Sequence, residues 1–180
     1  PYKFYQFWIN ANDEDVPRFM RYFTLRTREE LEALEAEHAG NPQELKRLLA
    51  EELTVRIHSE EDYRSVLRVS ELLFGRHAGR DELLGLSDAE LQTVASEIPS
   101  FSISRTALEA GVGIADLLAE HTAISSSKGE ARRALQNNAI SVNKEKISAP
   151  EHTVTASSLL HNRYLLLENG KKNKYILIAE

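Results

Sequence analysis

The sequence contains no cysteine, and this absence excludes several kinds of chemistry at once. Disulfide bonds, thiolate zinc sites and cysteine nucleophiles all require that side chain. Three further motifs are missing: the G-x-S-x-G of serine hydrolases, the phosphate-binding G-x-x-x-x-G-K-[ST] loop, and G-x-G-x-x-G. The six histidines do not pair at the spacing of helical metal ligands, so no metal site is expected. We therefore expect no catalytic site.

Long apolar stretches are also lacking. No run approaches the length that crosses a bilayer, and no signal peptide is recognised. Of the 180 residues, 42% are hydrophobic and 28% charged, which is ordinary for a globular protein of one large or two small domains. The first residues, Pro-Tyr-Lys, lack a methionine, so we expect a piece of a longer protein.

The net charge of −6 is unevenly distributed. Residues 1–100 carry 12 Lys and Arg against 20 Asp and Glu, a net of −8, whereas residues 101–180 carry 10 against 8, a net of +2. Such asymmetry indicates two units with different partners. An acidic first half argues against wrapping nucleic acid over the whole surface, and any such contact must be local.

Residues 1–99 have the pattern of a small all-helical domain. Several segments place an N-cap residue three positions before an acid, as helix starts do, and apolar residues follow at helical spacing. An early helix is expected from about Asp13 to Tyr22, with its apolar side chains turned inward. The predicted starts are Thr27 to Glu30, Asn41 to Glu44, Ser59 to Asp62, and Ser87 to Glu90.

Beyond Pro99 the pattern changes. The polar stretch Ser100–Thr106 predicts a linker over residues 100–112, with a possible hinge. Residues 113–180 predict an α+β domain: two short helices, then a small antiparallel sheet. Its strands are expected at Ala139–Asn143 and in a hairpin around Asn169-Gly170, since Asn-Gly supplies the positive φ of a tight turn. The fold class is thus mainly α, followed by α+β.

One helical face of the second half is basic. Lys128 and Arg132 lie four residues apart, Arg133 lies beside them, and Gln136 and Asn138 follow toward the helix exit. Cations and amides in this arrangement can bind phosphates, then sugars or base edges. The alternative is an ordinary solvated helix face. Both remain open from the residues alone.

Three other clusters have two interpretations each. The turn at Lys171, Lys172 and Asn173 could contact phosphates, or its lysines could protect a sheet edge from aggregation. The aromatic run from Tyr2 to Trp8 could stack bases, although buried packing is the commoner role. Carboxylates at Asp13 and Asp15 could read a base amino group or simply favour a helix N-terminus.

Several segments resemble one known family. The first ten residues, PYKFYQFWIN, are similar to bacterial tyrosyl-tRNA synthetases just beyond their catalytic domain. The match continues through SELLF at Ser70–Phe74. SSKGEARR at Ser126–Arg133 is similar to the RNA-binding module shared with ribosomal protein S-four. Asn12 departs from the acid often found at its position, and HTAI from His121 replaces a glycine-containing turn.

The resemblance implies a domain organisation. Residues 1–99 would form a helical anticodon-binding domain, whose residues 1–10 end the catalytic-domain connection. Residues 100–112 would be the linker, and residues 113–180 the S-four-like RNA-binding domain. The family's ATP signatures, His-Ile-Gly-His and Lys-Met-Ser-Lys-Ser, are absent, so this chain should bind RNA without catalysing. The RNA-binding residues implied are Asp13, Asp15, Lys128, Arg132, Arg133, Gln136, Asn138, Lys171, Lys172 and Asn173.

The resemblance also implies a setting for the chain. The parent enzyme would be a cytoplasmic class I ligase that attaches tyrosine to tRNA(Tyr) with ATP and magnesium, and would dimerise through its catalytic domain. No cofactor is expected in this chain, and neither DNA nor membrane is an expected partner. The alternatives are a stand-alone RNA-binding module of a ribosomal or RNA-modifying protein, or a purely structural interaction module.

Overall fold

The computed structural model describes residues 1–75, 78–170 and 173–180. The chain divides into two compact units, Pro1–Arg68 and Val69–Glu180. Within the described ranges, no helix is both long and apolar enough to span a membrane.

The first unit is helical, as the sequence predicts. A 3-10 turn at Asp13–Asp15 leads directly into the second helix, so the helix expected from Asp13 begins three residues later. The last helix continues past the unit boundary. The helices are α1 (Tyr2–Ile9), α2 (Val16–Phe23), α3 (Arg28–Glu37), α4 (Pro42–Ile57) and α5 (Glu60–Phe74).

The core of the first unit forms where α1 and α2 pack on α4. Val16 and Met20 are fully enclosed, whereas Phe23, expected to face inward, is 45% exposed at the end of α2. On α1, Tyr5 and Trp8 are buried, and the Trp8 ring makes edge contacts with its aromatic neighbours. Most of the aromatic run therefore packs inside the unit, which favours the packing interpretation over base stacking.

Most of the predicted N-cap residues form capping hydrogen bonds at the starts of their helices. Thr27 and Ser87 each form a complete capping box with the glutamate three residues later. Ser59 accepts a hydrogen bond from the Asp62 amide at 3.0 Å. At Asn41, by contrast, the side chain makes no capping bond, and Pro42 alone opens α4.

The second unit combines short helices with short strands. Between α9 and α10 the chain forms one turn of π-helix at Leu117–His121, and Ala156–Ser158 is a 3-10 turn. The helices are α6 (Arg80–Leu84), α7 (Asp88–Glu97), α8 (Arg105–Ala110), α9 (Ile114–Asp116) and α10 (Lys128–Gln136). The strands are β1 (Ser100–Ile103), β2 (Val112–Gly113), β3 (Ile140–Val142), β4 (Glu145–Lys146), β5 (Thr153–Val154), β6 (Tyr164–Asn169) and β7 (Asn173–Ala179).

The main sheet has the strand order β1-β7-β6-β3-β4, and β2 pairs separately with β5. The predicted hairpin is present: β6 and β7 pair antiparallel from Tyr164↔Ile178 to Asn169↔Asn173. One pair differs from the expected antiparallel arrangement, because β1 runs parallel to β7. Buried side chains of α9, α10 and the sheet form a common core, including Leu135, Ile140 and Leu177. The mainly α, then α+β fold class is confirmed.

The predicted linker is regular structure. Residues 100–103 form β1, and Ser104 then caps α8 by accepting from the Ala107 amide at 3.2 Å. The serines that suggested a linker alternate with Phe101 and Ile103, and Ile103 is buried in the core of the second unit. A polar-apolar alternation over four residues is too short to separate an edge strand from a loop. The segment belongs to the second compact unit, and the functional boundaries at residues 99 and 113 stay a prediction.

Candidate nucleic-acid interface

Helix α10 carries most of the predicted basic residues, and its start is fixed locally. The Ser127 hydroxyl accepts from the Glu130 amide at 3.2 Å. The Glu130 carboxylate accepts instead from the Ser126 amide, at 2.7 Å, one residue earlier than the predicted capping box requires. Ala131 and Leu135 are fully buried in the core of the second unit. The inward pair leaves the opposite helix face in solvent.

Arg132 and Arg133 lie on that solvent face. Both are exposed, and across the described residues neither makes a hydrogen bond or ion pair with another side chain. Gln136 is also exposed, one turn beyond Arg132. Exposed guanidinium groups with free donors can bind phosphate in a bidentate fashion. These two arginines therefore have the properties that the predicted basic face requires.

Lys128 differs from the two arginines. Its ammonium nitrogen lies 2.8 Å from an Asp116 carboxylate oxygen and 2.9 Å from one of Glu120. The hydrogen bond from Lys128 lowers the pKa of Asp116 below its ordinary value, and the bonds to Asp116 and Glu120 raise the pKa of Lys128. Two carboxylates thus compensate this cation. We refer to these three residues as the Lys128 clamp.

Asn138 has a structural role at the C-terminal end of α10. Its φ of 53° lies in the left-handed region, and its backbone amide donates to the Leu135 carbonyl at 2.9 Å. Asparagine tolerates this conformation better than most residues do, and it commonly ends helices there. The Asn138 side chain is exposed, so this backbone role leaves it available for contact.

Only part of the predicted β6–β7 turn can be described. Lys171 and Lys172 lie outside the described residues. Asn173 is exposed and begins β7 opposite Asn169. Lys174 instead donates to the Leu73 carbonyl at 2.7 Å, and burial lowers its pKa. Of the three predicted members of this turn, Asn173 is the one that the structure describes, and it is exposed.

The predicted acidic residues, Asp13 and Asp15, belong to the first unit. Asp13 forms an ion pair with Lys46, whose side chain is only 12% exposed whereas that of Asp13 is 59% exposed. The Asn12 amide nitrogen lies 3.2 Å from an Asp15 carboxylate oxygen and donates to it. Both carboxylates are therefore oriented by neighbours while their surroundings stay open to solvent.

Two further cations on the second unit were not predicted as site residues. Lys146 is exposed on the edge strand β4 and has no partner in the part of the chain that is described. The exposed Arg163 guanidinium lies 5.4 Å from the centre of the Tyr164 ring. Neither residue stands out in sequence because each is a single charge in a mixed segment. Exposure in the fold is the signal that identifies them.

Family comparisons cover nearly the whole chain. Residues 1–75 match the model for tRNA synthetases class I (W and Y), and residues 90–178 match the model for the tyrosine–tRNA ligase SYY-like C-terminal domain. A solution structure of a tyrosyl-tRNA synthetase C-terminal domain is 31% identical, covers 54% of this chain and 94% of its own, and superposes with a TM-score of 0.44.

Curated relatives extend the match. The tyrosine–tRNA ligase of Cytophaga hutchinsonii is 48% identical over 98% of this chain and 42% of its own length. That of Bacteroides thetaiotaomicron is 44% identical over all of this chain and 42% of its own length. The chain thus spans about two fifths of the length of these relatives. It belongs to the tyrosine–tRNA ligase family, and its residues 90–178 correspond to the family's C-terminal domain.

Proposed function

We propose that this chain is the tRNA-binding portion of a tyrosine–tRNA ligase. In this proposal residues 1–99 contact the anticodon arm, and residues 113–180 hold the RNA backbone as an S-four-like module. The single observation that carries it is the pair of exposed guanidinium groups at Arg132 and Arg133, which form no hydrogen bond or ion pair with a side chain of the described residues. They lie within the part that matches the family's C-terminal domain.

The two arginines would supply affinity and placement. Phosphate contacts fix the register of a protein on RNA without reading sequence. Gln136, Asn138 and Asn173 are exposed amides on the same unit and would add hydrogen bonds to sugars or phosphates. Lys171 and Lys172 remain proposed contacts. Lys128 is a weaker candidate for a phosphate contact, because Asp116 and Glu120 already compensate its charge.

The acidic helix start would read the anticodon. A carboxylate accepts hydrogen bonds from the exocyclic amino groups of cytosine, adenine or guanine. The ion pair with Lys46 holds the Asp13 carboxylate in one orientation, and Asn12 does the same for Asp15. Fixed acceptors discriminate better than mobile ones because less ordering is needed on binding.

The chemistry would belong to the rest of the protein. ATP and magnesium would act in the catalytic part, through which the parent would also dimerise, and the enzyme would work in the cytoplasm. In the described ranges, no cluster of three or more His, Cys, Asp or Glu could hold a metal ion. Both family models belong to tRNA ligases, which does not favour the stand-alone ribosomal or RNA-modifying alternative.

Binding to paired tRNA substrates tests the proposal. We expect the purified chain to bind tRNA(Tyr) more tightly than the same tRNA carrying a different anticodon, measured by fluorescence anisotropy at low salt. Equal affinity for both would contradict anticodon reading and favour a general RNA-binding module. Failure to bind either tRNA at low salt would contradict tRNA binding altogether.

A further inference from the structure

A cleft in the second unit lies outside every residue discussed as an RNA contact. Its volume is about 300 Å³, and it is formed by α6, the β3–β4 hairpin, the chain near His152 and the 3-10 turn at Ala156–Ser158. This is the small end of the range of ~300–1,000 Å³ typical of ligand pockets. A single ring system fits such a space.

The walls of the cleft are fixed by hydrogen bonds. The β3–β4 turn has positive φ at Asn143 and Lys144, 47° and 69°, as a tight hairpin of this hand requires. The Asn143 side chain donates to the Ser158 carbonyl at 2.7 Å and accepts from the Leu166 amide at 2.9 Å. Lys144 forms a 2.8 Å ion pair with Glu168, and both side chains are nearly buried. The cleft is therefore preformed.

Its lining combines an apolar wall with a polar rim. Leu84 is 51% exposed, and it lines the cleft with Ile147 and Leu159. On the rim, Arg80 forms an ion pair with Glu145, and His152 lies nearby. Arg80 and Leu84 are four residues apart on α6, so they share one helix face.

This chemistry discriminates among ligands. A free phosphate needs net positive charge, but Glu145 compensates Arg80. An apolar peptide side chain would desolvate that ion pair without replacing its hydrogen bonds, which is costly. A nucleobase suits both the apolar wall and the ion pair. Its face can cover the apolar wall, and its edge can donate hydrogen bonds to the Glu145 carboxylate and accept them from the Arg80 guanidinium.

We propose that the cleft binds one unpaired nucleobase of the bound RNA. The inference rests on the proposed function, because it requires an RNA held by this unit. Unpaired bases in loops and bulges are the usual targets of sequence-dependent RNA recognition. The cleft would thus add a base contact to the backbone contacts proposed for Arg132 and Arg133.

The test uses a variant that fills the cleft without adding charge. Ser157 is exposed and lines the cleft, so Ser157→Trp should fold normally and occupy the space. Thr106 is exposed on α8 and does not line the cleft, so Thr106→Trp is the matched control. Thermal unfolding checks that both variants keep the wild-type stability.

The readout is affinity for tRNA(Tyr) as a function of salt concentration. Losing a stacked base weakens binding by about 5- to 150-fold, so Ser157→Trp should bind weaker by that factor. Its log–log salt slope should be unchanged because no ionic contact is lost. Thr106→Trp should bind as the wild type does. A lower salt slope in Ser157→Trp would overturn the base assignment in favour of a phosphate contact.

A second variant separates this inference from the proposed function. The double variant Arg132→Gln/Arg133→Gln should reduce the salt slope. If Ser157→Trp binds like the wild type while the arginine variant loses slope, the cleft inference is overturned and the tRNA-binding proposal stands. If neither variant changes binding, the cleft inference and the assignment of RNA contact to Arg132 and Arg133 are both overturned.

A direct readout identifies the base. Methyl signals of Leu84 and Ile147 are followed by NMR while nucleoside 5′-monophosphates are added to the labelled chain. We expect ring-current shifts with nucleotides and none with ribose 5-phosphate. Equal shifts with ribose 5-phosphate would overturn the assignment to a base.

Discussion

Arg132 and Arg133 offer the sharpest quantitative prediction. Each exposed guanidinium that neutralises one phosphate contributes ~0.7–0.9 to the log–log salt slope. Replacing both with glutamine should therefore lower the slope by about 1.4–1.8. If the wild-type and variant lines meet near 1 M salt, the variant binds tRNA(Tyr) about 25- to 60-fold more weakly at 0.1 M. Fluorescence anisotropy at several salt concentrations measures both quantities.

The Lys128 clamp provides the control. Asp116→Asn with Lys128→Gln removes one charge of each sign, so the net charge of the face is conserved. Because Asp116 and Glu120 already bind Lys128, we expect this double variant to keep the wild-type slope. A loss of slope equal to that of the arginine variant would mean that Lys128 contacts phosphate and that the clamp opens on binding. An unchanged slope in the arginine variant would refute the basic face itself.

Three further predictions concern local structure. Lys128→Ala should raise the pKa of Asp116, measured by NMR titration of the carboxyl group. Because the pKa of Asp116 is lowered in the folded protein, its carboxylate stabilises the fold at pH values above the pKa of the unfolded chain. This stabilisation is lost as the pH falls through the lower pKa of the folded protein. Lys128→Ala should therefore lack the contribution of Asp116 to the loss of stability in acid. Gly111→Ala should cost about 1–3 kcal/mol in urea unfolding, because φ is +86° and the new Cβ would lie 2.9 Å from the Thr153 methyl carbon. Asn138→Gly should leave stability nearly unchanged, whereas Asn138→Ala should cost about 1–2 kcal/mol in the same assay; equal losses would contradict a backbone role.

Local patterns were the most predictable part of the fold. The capping box at Thr27 and the strand within Ala139–Asn143 depend on neighbouring residues, and both are confirmed. The hairpin predicted around Asn169-Gly170 is also confirmed, because β6 and β7 pair up to Asn169 and Asn173. These features follow from short-range hydrogen bonding and backbone conformation.

Long-range pairing was less predictable. Residues 100–103 become a strand because β7, more than seventy residues later, supplies the parallel partner. Nothing in the sequence near residues 100–103 indicates that β7 is their partner, and the polar serines suggest a loop. The one-turn π-helix at Leu117–His121, by contrast, has a local contact: the Thr122 hydroxyl donates to carbonyls of the preceding turn at 3.0 and 3.1 Å.

The candidate site divides in the same way. By itself the sequence determined that Lys128 and Arg132 share one face of α10, because helical periodicity places residues four apart together, with Arg133 next to Arg132. It also determined the family resemblance. Only the tertiary structure decided which of these cations forms ion pairs, since Asp116 and Glu120 come from a different helical segment and bind Lys128. Partner charges brought close by folding, and not residue type, separate an available cation from a compensated one.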